Sequence, residues 1–123
     1  MTIMEAINRI DVLKPNTFDQ SEKIHWLSVL DGMIKAQIID THEGADTVSF
    51  QPYHDDTALT QELIVPHPFD EIYIRWLEAQ IDYANGEYDK YNNSISTYNT
   101  VYLNFSRYYN RTNRPLKKAF ANF

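Results

Sequence analysis

Three of the four histidines, His42, His54 and His67, fall within residues 41–67 beside the carboxylates Glu43, Asp46, Asp55, Asp56 and Glu62; the fourth is His25. Imidazole and carboxylate are the ligands a zinc or manganese site would use. Their spacing, however, contains neither a His-x-x-x-His pair nor a His-Glu-x-x-His run, so the segment reads as polar surface. No metal and no other cofactor is expected. The adjacent acids Asp70-Glu71 would point to different sides of a helix, which makes them helix-end charge rather than an acid/base dyad. The chain has no cysteine, and its three glycines leave no room for a phosphate-binding loop. No nucleophile elbow is present either. No catalytic residue and no enzymatic activity are expected.

The other concentration of chemistry is at the C-terminal end. Arg107, Tyr108, Tyr109, Arg111, Arg114, Lys117, Lys118, Phe120 and Phe123 interleave bases with aromatics. Such a pattern can stack on and neutralise single-stranded nucleic acid. Tyr and Arg are equally what the centres of protein interfaces prefer. The net charge of −6 disfavours avid nucleic-acid binding, so an oligomer or partner interface is the reading preferred here. A helical nucleic-acid-binding protein using the basic aromatic C-terminus is the alternative. The charge is unevenly spread: residues 41–67 carry five acids and no Lys or Arg, while residues 101–123 carry five bases and no acid. Complementary surfaces of an assembly could have this form.

These residues must be positioned by helices. Thr2 and Glu5 have capping-box spacing, and Ile3, Ala6, Ile7 and Ile10 form a stripe, which predicts a helix over about 2–12 closed by Lys14-Pro15. Thr17 and Gln20 repeat the capping spacing, and Ile24, Leu27, Leu30, Ile34 and Ile38 predict a second helix over about 18–40. Residues 41–67 break the periodicity and read as a long, acidic, poorly protected loop with room for a small hairpin. Pro68 reads as a first-turn proline, with Asp70 and Glu71 at the positive helix end. From there Ile74, Leu77, Ile81, Ala84, Tyr88, Tyr91, Ile95, Tyr98, Tyr102, Phe105 and Tyr109 alternate steps of three and four. That is the seam of a helix packed lengthwise on another. Asn85-Gly86 interrupts it, and an αα-hairpin there is favoured over one continuous rod. Residues 114–123 read as an extended basic tail in need of a surface to dock on.

The expected fold class is therefore mainly α. It is a small bundle of about four helices with a long loop between helices 2 and 3, an extended C-terminal tail, and a single domain over 1–123. An apolar fraction of 43% and a charged fraction of 23% suit a folded domain. No apolar stretch approaches the roughly 20 residues of a membrane span. The start of the chain lacks the features of a signal peptide, and the absence of cysteine suits a reducing compartment. A soluble intracellular protein with no membrane partner is expected.

Several segments carry a resemblance. Lys14-Pro15-Asn16, Lys23-Ile24-His25-Trp26-Leu27, Leu30-Asp31-Gly32 and Ile38-Ile39-Asp40-Thr41-His42 occur in the first half. Leu63-Ile64-Val65-Pro66, Asp70-Glu71-Ile72-Tyr73, Gln80-Ile81-Asp82-Tyr83, Tyr91-Asn92-Asn93-Ser94 and Tyr108-Tyr109-Asn110-Arg111-Thr112 follow. Over nearly its whole length the chain resembles the head–tail connector, or neck adaptor, proteins of tailed bacteriophages and prophages. The resemblance implies a non-enzymatic subunit that joins copies of itself into a ring between portal and tail. Its partners would be itself, the portal protein and other head–tail joining proteins, with DNA crossing the lumen without specific binding. Its location would be the host bacterial cytoplasm during assembly and then the virion neck.

Overall fold

A computed structural model describes residues 1–116, in which the chain forms four α-helices and no strand. Helix α1 spans Ile3–Leu13, α2 Gln20–Gln37, α3 Glu71–Ala84 and α4 Tyr88–Thr112. Single 3₁₀ turns occupy Ile39–Thr41 and Ala45–Thr47. The mainly helical class with about four helices is thus found.

Helix α1 starts as its sequence dictates. The Glu5 N–H donates to Thr2 Oγ1 at 3.1 Å, and the Thr2 N–H donates to the Glu5 carboxylate at 3.2 Å. This reciprocal box satisfies two donors that the first turn would otherwise orphan. The Thr2 N–H, together with the Thr2 side chain, holds the Glu5 carboxyl below its ordinary range. Helix α2 is shorter at both ends than its stripe suggests. The Thr17/Gln20 box does not form, because Asn16 accepts the Phe18 N–H at 3.1 Å in a local turn and Asp19 takes the cap position. At the other end the chain tightens into the Ile39–Thr41 turn, which buries Ile38 and Ile39.

The segment between α2 and α3 is not the open loop expected from its composition. Tyr53, Leu63 and Val65 are buried, as is His42. No hairpin forms; instead residues 59–63 lie along the first residues of the chain. There the Ile3 and Leu63 amides donate to Gln61 and Met1 carbonyls at 3.1 and 3.0 Å. Pro68 is also not a first-turn proline: it follows a cis bond, and turns through Phe69 and Asp70 precede the helix. Those turns carry Phe69 onto α4, with ring centroids 5.8 Å from Phe105 and 4.7 Å from Tyr108.

The regular stripe is split between two antiparallel helices. Gly86, at φ +71°, ends α3 in a Schellman arrangement, with Glu87 N–H bonded to Asp82 C=O at 2.9 Å and Gly86 N–H to Tyr83 C=O at 3.0 Å. The seam residues Ile74, Leu77, Ile81, Tyr98 and Phe105 are buried, whereas Ala84 and Tyr88 lie exposed at the turn. Helix α3 is the centre of the bundle and touches α1, α2 and α4. That is why Ile72, Tyr73 and Ala79, off the seam, are buried too.

Candidate assembly surface

The first layer of the site is the machinery that holds the irregular segment in place. Asp31 on α2 is fully buried, and its carboxylate accepts three bonds: the Tyr53 and Tyr73 hydroxyls, both at 2.6 Å, and the Ile64 amide at 3.1 Å. The Tyr73 hydroxyl in turn accepts the Val65 amide at 2.7 Å, and Ser28 Oγ accepts the Tyr53 amide at 2.9 Å. Burial pushes the Asp31 carboxyl above its ordinary range, and the three donors only partly offset this. Burial and the neighbouring carboxylate push both phenols upward. One acid therefore fastens α2, α3 and the stretch from Tyr53 to Val65 together. Asp82, on α3, does the same between helices, accepting from Lys14 of the α1 end and Ser94 of α4.

His42 anchors the far end. Its Nδ1 lies 2.6 Å from the Ile38 carbonyl, its Nε2 lies 2.6 Å from Asn110 Oδ1, and its ring meets Tyr109 edge-on at 4.8 Å. The backbone beyond α4 then pairs with the same segment. Glu43 N–H donates to Arg114 C=O at 2.8 Å, and Leu116 N–H donates to Thr41 C=O at 3.0 Å. The beginning of the basic tail thus docks on its own chain.

The residues expected at an interface divide accordingly. Tyr108 and Tyr109 are half-buried against Phe69, Phe105 and His42, so much of their aromatic surface serves the chain's own packing. Arg111 and Arg114 are exposed, as is Arg107. Lys117, Lys118, Phe120 and Phe123 lie outside the described residues. The four histidines do not form one cluster. His42 is buried, His67 is exposed, and His25 and His54 border a cleft with Ser21, Ile24, Tyr53, Asp55 and Asp56. Among the described residues no three His, Asp or Glu side chains are placed to share a metal ion.

Charge is the property that separates the surfaces. Residues 1–89 carry five bases against seventeen acids, a net −12, while residues 90–123 carry six bases and no acid. Arg9, Lys14, Lys23, Lys35, Arg75 and Lys90 all have carboxylate partners within 4 Å. Among the described residues, Arg107, Arg111 and Arg114 are the bases without one. Asn92, Ser96, Asn99, Thr100 and Asn104, exposed on α4 between them and the hairpin, are polar and uncharged.

Asp31, Asp82 and His42 were not singled out by sequence as structural anchors. A signal existed for the first: Asp31 lies four residues after Leu27 and three before Ile34, on the apolar stripe of its helix, where an acid must find donors. Comparison with protein-family models, curated proteins and solved structures gives no match to this chain. Among the described residues, no helix is long and apolar enough to cross a membrane.

Proposed function

We propose that this chain is a non-enzymatic phage head–tail connector subunit, joining copies of itself into a ring between portal and tail through which DNA passes. The segment resemblance supplies the family. The observation that carries the assembly reading is the charge partition: a helical body of net −12 with an α4 end whose arginines find no carboxylate partner among the described residues. Unpaired cations on an acidic protein favour contact with an acidic surface, and another copy of the chain provides one. A body with excess negative charge also repels DNA, which suits a lumen that must not grip its cargo.

The test is the native mass of the purified chain at low and high salt. A closed species larger than a dimer at low salt, dissociating as salt rises, is expected, because exposed pairs are screened over about 8–10 Å at physiological strength. A chain that stays monomeric at every concentration and salt refutes the reading. The second reading, a nucleic-acid-binding protein, draws on the same three arginines. It requires DNA affinity that falls steeply with salt.

A further inference from the structure

Arg107 and Arg111 stand one helical turn apart on the exposed side of α4, about 5–6 Å from each other, with half-exposed Leu103 one turn before. Nothing among the described residues covers them. The cleft bordered by His25 and His54 has the opposite character. Ile24 and Tyr53 line it, and its rim is a tight turn in which Thr57 N–H bonds to His54 C=O at 3.0 Å and His54 N–H bonds to Thr57 Oγ1 at 2.8 Å. Asp55 and Asp56 occupy the two central positions of that turn, exposed and without a cation within 4 Å among the described residues. The turn is held firmly, because Tyr53 beside it is bonded to Asp31 and Ser28.

The two surfaces cannot meet within one copy. The cleft lies at the start of α2, beside Ser21 and Ile24, whereas the arginines lie at its end, where Asn110 and Arg114 join His42 and Glu43. About 25 Å of helix separates them. We propose that the Arg107–Arg111 face of α4 docks on a second copy of this chain, across its α2 cleft, pairing with Asp55 and Asp56. This deepens the connector reading and rests on it. Because one patch meets a different patch, the contact is heterologous: each copy keeps a free cleft and a free arginine face, and growth continues until rotation closes a ring. The opposite charges on one molecule favour a second copy over nucleic acid, which the cleft turn would repel.

Charge exchange tests this on the full chain. Asp55→Lys with Asp56→Lys, and separately Arg107→Glu with Arg111→Glu, each raise the concentration for half-assembly by about tenfold or more. All four positions are exposed, so both variants keep the wild-type thermal transition, checked by circular dichroism. Mixing the two variants restores assembly, since each supplies the complement the other lacks. If wild type assembles and neither exchange alters it, this interface is refuted while the connector reading stands. If wild type never assembles, both fall. If Arg107→Glu with Arg111→Glu abolishes salt-dependent DNA binding and leaves assembly intact, the arginine face belongs to nucleic acid and the inference is overturned.

Discussion

Asp31 shows how a single carboxylate can determine the course of a long segment. A buried acid costs several kcal/mol in desolvation unless donors surround it. Here two phenols and an amide do so, and each comes from a different part of the chain. Asp31→Ala leaves three donors without an acceptor and should cost about 3 kcal/mol, measured by urea unfolding. The pH dependence has a definite sign. Burial raises the folded pKa above the ordinary 3.8, so protonation favours the folded state. That contribution is complete below the unfolded value and is lost as pH rises through the folded one. The stability of wild type relative to Asp31→Asn should therefore fall between acid and neutral pH. A constant difference across that range would contradict a raised carboxyl.

At the scale of elements, the hairpin between α3 and α4 and the packed 42–65 segment carry distinct expectations. Gly86 holds a left-handed conformation in open surroundings, and a Cβ added there would meet no atom within 4 Å, so the effect of Gly86→Ala is backbone strain alone. It should cost about 1–2 kcal/mol in thermal or chemical unfolding. A neutral result would mean the turn can relax to another conformation. The segment between α2 and α3 looks mobile by composition, yet its amides at Tyr53, Ile64 and Val65 are bonded to Ser28, Asp31 and Tyr73. Hydrogen exchange should find these three as protected as the centre of α2, while Asp55 and Asp56 at the exposed turn exchange fast. Uniformly rapid exchange from 42 to 65 would remove the support on which the cleft depends.

For the molecule as a whole, α3 is the element on which the other three helices pack. Leu77 and Ile81 are at most 1% exposed, and Leu27, Leu30 and Ile34 on α2 belong to the same core. Leu77→Ala or Ile81→Ala should each cost about 2–5 kcal/mol by urea denaturation. Losses under about 0.5 kcal/mol at both would mean the seam is not the core. The Arg107–Arg111 end behaves differently, because its charge is on the surface: exchanging these two arginines should leave the thermal transition unchanged.

Helix identity and class were legible in the chain itself, since three- and four-residue spacing, the Thr2/Glu5 box, Lys14-Pro15 and Asn85-Gly86 are local signals acting through local sterics and hydrogen bonds. The charge imbalance was legible for the same reason: it is a count along the chain. Only the tertiary structure decided which aromatics face inward. Tyr108 became packing for Phe69 because a turn more than 35 residues upstream swings Phe69 onto α4, and Tyr109 packs on His42 beyond the end of α2. It also decided that residues 42–65 are ordered around Asp31, a matter of donors drawn from distant positions that no window of sequence contains. Finally, it set Arg107 and Arg111 at one end of α2 and Asp55 and Asp56 at the other. The separation of two surfaces in space is a property of how helices pack, and spacing along the chain cannot express it.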